Sequence, residues 1–230
     1  AEVNTITLVL DELSSDDQRK MILDRFVDPE GAAPLANEIA VRAGGNPFFI
    51  REIIDSLVDR GILAPQTKPE GAPSHEPQRL LWVKKDAAIH VPASIEALVA
   101  ARLDRLPTSE KEVLTRASVL GRAFTRANVE ALLGRIAGRD LAALVERSLI
   151  TTTNASGRTA KDAYTFRNET TRAVAYELLP EEERRKLHRS MALHLEEVSS
   201  SRPGQDDARI AEHLDRAGDL ERAGRFYLAA

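Results

Sequence analysis

No cysteine occurs in the 230 residues, so disulfides, thiol nucleophiles and Cys-ligated zinc are all excluded. Aromatic residues make up only 4% of the chain, too few for the stacking platforms that hold single-stranded nucleic acid. A basic excess is missing as well. The formal net charge is -4, whereas a duplex-binding domain gains affinity by releasing counterions from phosphate. No apolar run approaches the ~18–20 residues that span a bilayer, and the opening AEVNTITLVLDEL lacks the basic region and apolar core of a secretory signal. No G-x-x-x-x-G-K-[ST] stretch is present to cradle a triphosphate. These absences lead to the expectation of a soluble, cytoplasmic protein with no membrane partner and no nucleotide chemistry of its own. What is present is ordinary globular material, 43% hydrophobic and 30% charged, long enough for two or three small domains.

Residues 3–10 read as a short β-strand rich in β-branched residues, which needs a neighbour to be stable. Ser15-Asp16-Asp17-Gln18 has capping-box spacing and predicts a helix through Met21, Ile22 and Phe26, ended by Asp28-Pro29. A second helix is expected over 34–43, stopped by Gly44-Gly45. A third starts at once: Asn46 is a good N-cap, Pro47 suits the first helical position, and Ile50, Ile53, Ile54, Leu57 and Val58 form one apolar face. Pro65, Pro69, Pro73 and Pro77 mark 64–78 as an exposed loop, and 80–84 and 89–91 read as short strands.

From Ser94 the helical period returns, with Ile95, Leu98, Val99, Leu103 and Leu106 on one face up to Pro107. Three short helices follow. One is capped by Ser109-x-x-Glu112 and stopped by Gly121, one runs from Thr125 to Gly134, and one carries Leu141, Leu144, Val145 and Leu149. Ile150-Thr151-Thr152-Thr153 and Tyr164-Thr165-Phe166 then form a β-hairpin about a polar turn at 154–157, and three helices followed by a hairpin is the order of a winged helix. Beyond it lie helices over 169–179 and 181–198, a polar stretch, and a helical hairpin of 208–217 and 220–230 around Gly218-Asp219. One such hairpin cannot bury its own apolar face, which is the logic of a repeat array. The fold class expected is mainly α. The start at Ala1 rather than Met, and the end inside an amphipathic pattern, read as cuts from something longer.

Five stretches in this order resemble a known family. They are Gly44-Gly45-Asn46-Pro47-Phe48-Phe49-Ile50-Arg51-Glu52, Val91-Pro92-x-Ser94-Ile95, Ala101-Arg102-Leu103-Asp104-Arg105-Leu106-Pro107, Ser118-Val119-Leu120-Gly121-Arg122-x-Phe124 and Ala211-Glu212-His213-Leu214-x-x-Ala217-Gly218-Asp219. They resemble the STAND class of AAA+-related P-loop ATPases, nearest to the modules of large LuxR-type regulators and of bacterial adenylate cyclase or Ser/Thr kinase fusions. The resemblance implies a P-loop domain, a helical AAA+ lid, a winged helix and tetratricopeptide-like repeats, in that order. Residues 1–13 would be the last strand of a missing N-terminal P-loop domain, and 14–92 the lid. Residues 93–180 would be the winged-helix domain, and 181–230 a helical linker with the start of the repeats. The chain would be a regulatory fragment of a bacterial signal-transduction ATPase and not itself an enzyme. ADP or ATP would bind in the intact parent, and a protein or small-molecule inducer would bind the repeats.

Within that resemblance, Gly45-Asn46-Pro47 is similar to the GxP motif whose proline packs against adenine. Two glycines permit close backbone approach and a helix N-terminus offers free N–H groups, although the same residues would serve as an ordinary helix start. Phe166-Arg167-Asn168-Glu169 lies where the family shows Phe-x-His. Asn168 there can donate to a phosphate without carrying charge, or can simply cap a helix. Leu8-Val9-Leu10-Asp11-Glu12 imitates a Walker B strand. In P-loop ATPases a further sensor strand precedes the lid, and here a helix begins at Ser15, so Asp11 and Glu12 read as a solvated turn. Arg102 and Arg105, beside Asp104, read as a solvated helix face. His75, His90, His188, His194 and His213 show no metal spacing, and no catalytic or metal-binding residue is expected. Two other functions compete. One is a DNA-binding winged helix, whose candidate recognition helix at 138–149 offsets Arg139 and Arg147 with Asp140 and Glu146. The other is a nucleotide-independent interaction adaptor.

Overall fold

The computed structural model describes residues 12–66, 79–85, 94–153, 162–199, 204 and 206–230, which hold eleven helices and five short strands. The chain is mainly α, with small antiparallel sheets. The strands expected at 3–10 and 89–91, Asp11, His75, His90 and the turn at 154–157 lie outside the described residues. No helix among the described residues is long and apolar enough to cross a membrane. The chain divides into two compact units, Ala1–Leu98 and Val99–Ala230, and helix α4 (Ile95–Leu103) runs across the boundary.

The first unit holds α1 (Ser15–Leu23), α2 (Pro29–Ala43), α3 (Pro47–Asp59), β1 (Leu63–Pro65) and β2 (Leu80–Trp82). The cap of α1 falls one residue earlier than expected. Ser14 Oγ accepts from the Asp17 N–H at 3.1 Å, which frees Gln18 to turn inward. Asp28-Pro29 opens α2 rather than closing α1: Asp28 Oδ1 accepts from the Gly31 N–H at 2.9 Å, and Pro29 takes a position where its missing N–H has no helical role. Pro34 therefore sits inside α2, on its exposed side, where it forgoes one helical hydrogen bond. Helix α3 follows the expected caps and buries Ile50, Ile53, Ile54 and Leu57 against Ile22, Phe26, Leu35 and Ile39. Each such side chain contributes roughly 1.5–3 kcal/mol when fully buried. Strand β1 lies where the proline-rich loop was expected to begin. It pairs antiparallel with β2, Leu63 opposite Trp82 and Pro65 opposite Leu80, and Pro65 is tolerated because β1 is an edge strand whose next ladder bond comes from the Gln66 N–H to the Arg79 carbonyl.

The second unit continues from α4 with α5 (Thr108–Val119), β3 (Ala123–Thr125), α6 (Arg126–Leu133) and α7 (Gly138–Glu146). The hairpin β4 (Ile150–Thr152) and β5 (Ala163–Phe166) comes next. The sheet runs β3-β5-β4, all antiparallel, with Ala123 opposite Thr165 and Ile150 opposite Phe166. Phe124 stacks on Tyr164 with ring centroids 5.8 Å apart, which anchors β3, a strand too short to show a period in sequence. The expected Ser109–Glu112 cap does not form. Helix α5 starts at Thr108, and Glu112 pairs instead with Arg116 and Arg135. Arg102 is not on a solvated face: it is 4% exposed and donates through Nη2 to the Arg147 carbonyl at 2.6 Å. A carbonyl just past the end of α7 has no helical partner, so a buried donor from another helix satisfies it. Helices α8 (Glu169–Glu177), α9 (Glu181–Ser199), α10 (Asp207–Arg216) and α11 (Leu220–Ala229) complete the unit. Gly218 (φ 82°) and the Asp219 cap make the tight α10–α11 turn.

Candidate functional site

The α2–α3 corner carries the first residues singled out by sequence. Gly44 ends α2 in the left-handed region (φ 55°), and Gly45 follows at φ 85°. The backbone approach that these glycines permit is to the chain itself. The Gly45 N–H donates to Gln18 Oε1 at 3.1 Å, the Gly45 carbonyl accepts from the Leu13 N–H at 3.0 Å, and Gln18 Nε2 donates to the Leu13 carbonyl at 3.0 Å. One buried glutamine amide thus ties the start of α1 to the corner. The N–H groups expected to be free at the α3 N-terminus are not. Asn46 Oδ1 accepts from Phe48 N and Phe49 N at 3.0 and 3.3 Å. Pro47, at the first position of α3, is exposed.

Asn168 lies in the other unit, at the start of α8. Its Oδ1 accepts from the Thr171 N–H at 2.6 Å, the geometry of an N-cap. Asn168→Ala is expected to lower the stability of the Val99–Ala230 unit by about 1 kcal/mol, while Asn168→Asp, an equal cap, changes it little. Urea unfolding of both variants checks this.

The second unit also holds a cluster that sequence reasoning missed. His188 of α9 and His213 of α10 meet through their Nδ1 atoms at 2.8 Å, and Tyr176 of α8 places its hydroxyl 3.0 Å from His188 Nε2. His188 is fully buried and His213 is 7% exposed. Burial pushes the His188 imidazole down to about 3, helped by neighbouring His213 and by the Arg216 and Arg184 guanidiniums. His213 is pushed down to about 4, again mainly by burial and then by Arg209 and Arg216. At neutral pH the pair is therefore uncharged, one ring donating through Nδ1–H and the other accepting. A cavity of about 70 Å³ beside it, lined by residues 119–121, Glu212 and Arg216, has room for little more than water. The signal was available in sequence: each histidine lies among apolar positions of its helix, His188 between Leu187 and Met191, His213 between Ile210 and Leu214. Among the described residues no group of three His, Asp or Glu could hold a metal ion.

No family model matches the chain, and no solved structure matches it. An uncharacterized protein of Rhizobium meliloti (strain 1021) is 28% identical over 235 residues, an alignment covering 99% of this chain and 21% of that protein. The chain thus spans about a fifth of the length of this relative.

Proposed function

We propose that the chain is the regulatory part of a cytoplasmic bacterial signal-transduction ATPase, in which a helical lid reads the bound nucleotide and passes its state through a winged helix to a repeat region. One observation carries this reading. The order α5-β3-α6-α7-β4-β5 about the sheet β3-β5-β4 follows a helical unit bearing Gly44-Gly45-Asn46-Pro47 and precedes the α10–α11 hairpin. That is the order of parts that the STAND resemblance implies. The Gln18 bridge and the Asn46 cap support it, because they hold the corner rigid while leaving Pro47 exposed for an adenine. The phosphate groups would be held by the P-loop domain of the intact parent, so this chain alone hydrolyses no ATP. The inducer, protein or small molecule, would act on the repeats.

DNA binding is disfavoured by the cations around α7. Arg135 is held by Asp140 and Glu112, and Arg147 by Glu110, which leaves Arg139 as the α7 cation without an ion pair among the described residues, too little positive charge to follow a run of phosphates. The test of the nucleotide reading is calorimetric. ADP should bind a protein that carries this chain behind a P-loop domain, and Pro47→Ala should weaken that binding roughly tenfold, the effect of losing about 1.4 kcal/mol of contact. Absence of binding in both proteins would overturn the reading and leave the nucleotide-independent adaptor.

A further inference from the structure

We propose that His188 and His213 form a proton-gated latch: neutral, they fasten the α10–α11 hairpin to α9, and protonated, they release it while the rest of the unit stays folded. The latch lies outside the nucleotide corner and does not depend on that reading.

The hairpin has one main support. Helix α10 packs on α9 and α11, and among the described residues no other element makes comparable contact with either helix of the hairpin. Met191, Ala192 and Leu195 of α9 and Ile210, Ala211 and Leu214 of α10 are buried. His188 and His213 belong to the same seam, with ring centroids 5.0 Å apart. The elements from α5 to α8 have supports of their own. Helix α5 packs on α7 and α8, and β5 pairs with both β3 and β4. Lifting the hairpin therefore uncovers one face of α9 and leaves that packing in place.

The seam admits one proton between the rings. Nδ1 stands 2.8 Å from Nδ1, so one nitrogen donates and the other must keep its lone pair. A further proton has to enter at an outer nitrogen, and His188 Nε2 already meets the Tyr176 hydroxyl at 3.0 Å. Protonating both rings puts two N–H groups head to head. The surroundings oppose the charge as well. Arg184 of α9 and Arg209 and Arg216 of α10 act against it. Helix α8 brings Tyr176, with Arg172 and Arg184 over its ring at 6.0 and 5.0 Å, and Glu177, which pairs with Arg184. Helices α5 and α6 reach α9 through Val119, Leu132 and the Arg116–Glu183 pair, and α11 through the Arg222–Glu196 pair. Glu212 is the carboxylate lining the adjoining cavity, but it is exposed and makes no hydrogen bond with either ring. A charged ring is thus better solvated by water than by this seam, and it reaches water when α10 leaves α9.

Native-state hydrogen exchange in dilute urea, at pH 7 and at pH 5, tests the latch. Amides of α10 and α11 are expected to exchange through a local opening that depends little on urea. Those of α5 and α7 should wait for the urea-dependent unfolding of the whole unit. The population of the local opening should rise by about 1000-fold on acidification. Each released imidazole, titrating near its ordinary value of ~6.5, supplies about 30-fold at pH 5. His213→Asn keeps a side-chain amide that can meet His188 Nδ1 without titrating, and should cut the rise to about 30-fold. His188→Leu combined with His213→Leu should abolish it. The proposal is overturned if α10 and α11 share the protection and urea dependence of α5, which would mean that the unit opens only as a whole. A local opening equally populated at both pH values, or one that rises in the double variant as in the parent, also overturns it.

Discussion

Acidification from pH 7 to pH 5 is expected to remove several kcal/mol of stability from the Val99–Ala230 unit, before the carboxylates titrate. Folded His188 and His213 titrate at about 3 and about 4, held down chiefly by burial. In the unfolded chain each imidazole titrates near its ordinary value of about 6.5. The folded values lie below the unfolded ones, so the unfolded chain takes up protons that the native state refuses. The contribution of the pair is therefore complete above about pH 6.5 and declines as the pH falls towards the folded values. The slope is ~1.4 kcal/mol per pH unit for each imidazole, so two in step lose ~4 kcal/mol by pH 5. Against a typical total of ~5–15 kcal/mol, that is a large share. The Glu130, Glu169 and Glu182 carboxyls are held below their ordinary range and so titrate at lower pH still.

The chain has its own reporters for this test. Its three tyrosines, Tyr164, Tyr176 and Tyr227, all lie in the second unit, and Trp82 lies in the first. The urea midpoint of the tyrosine signal should fall steeply between pH 7 and pH 5. His188→Leu combined with His213→Leu removes both polar partners together and should flatten that dependence. A midpoint that does not move over this range in the parent protein would refute a buried, neutral histidine pair.

Gly45→Ala is expected to destabilise the Ala1–Leu98 unit by roughly 2–4 kcal/mol, of which ~1–2 kcal/mol comes from placing an L-residue at positive φ. The backbone at Gly45 has φ 85°, and an added Cβ would stand 2.7 Å from Glu12 Cβ and 3.3 Å from the Leu13 carbonyl oxygen. Neither atom is the free end of a flexible side chain, so residues 12–13 must shift. That movement pulls on the Leu13–Gly45 hydrogen bond and on the Gln18 bridge. Gly44→Ala provides the comparison. It has φ 55° with nothing within 4 Å of its Cβ position, so it should lose only about 1 kcal/mol, the backbone cost alone. Urea unfolding followed by Trp82 emission separates the two, and equal losses at both positions would refute the packing argument.

Much of the architecture could be read from local chemistry. Asn46-Pro47, Thr125 and Gly134 are cap residues whose partners lie within four positions, and the structure uses them as caps. The period of Ile50, Ile53, Ile54 and Leu57, the β4–β5 hairpin and the α10–α11 turn follow for the same reason. The misreadings begin where two local solutions were nearly equal. Ser14 and Ser15 are both competent caps, and Asp28-Pro29 can end a helix or start one.

The sequence by itself determined that the chain is mainly helical, where most helices stop, and that Gly45, Asn46, Pro47 and Asn168 stand at helix starts. Each of those features rests on dihedral preferences and hydrogen bonds between near neighbours. Only the tertiary structure decided what these residues face. Gln18 reaches a glycine 27 residues away, His188 meets a histidine 25 residues on, and Arg102 satisfies a carbonyl 45 residues on. Strands β1 and β3, three residues each, exist because β2 and β5 bring them hydrogen-bonding partners. Such pairings depend on which polar groups become buried together, and burial is a property of the packed chain rather than of any short stretch of it.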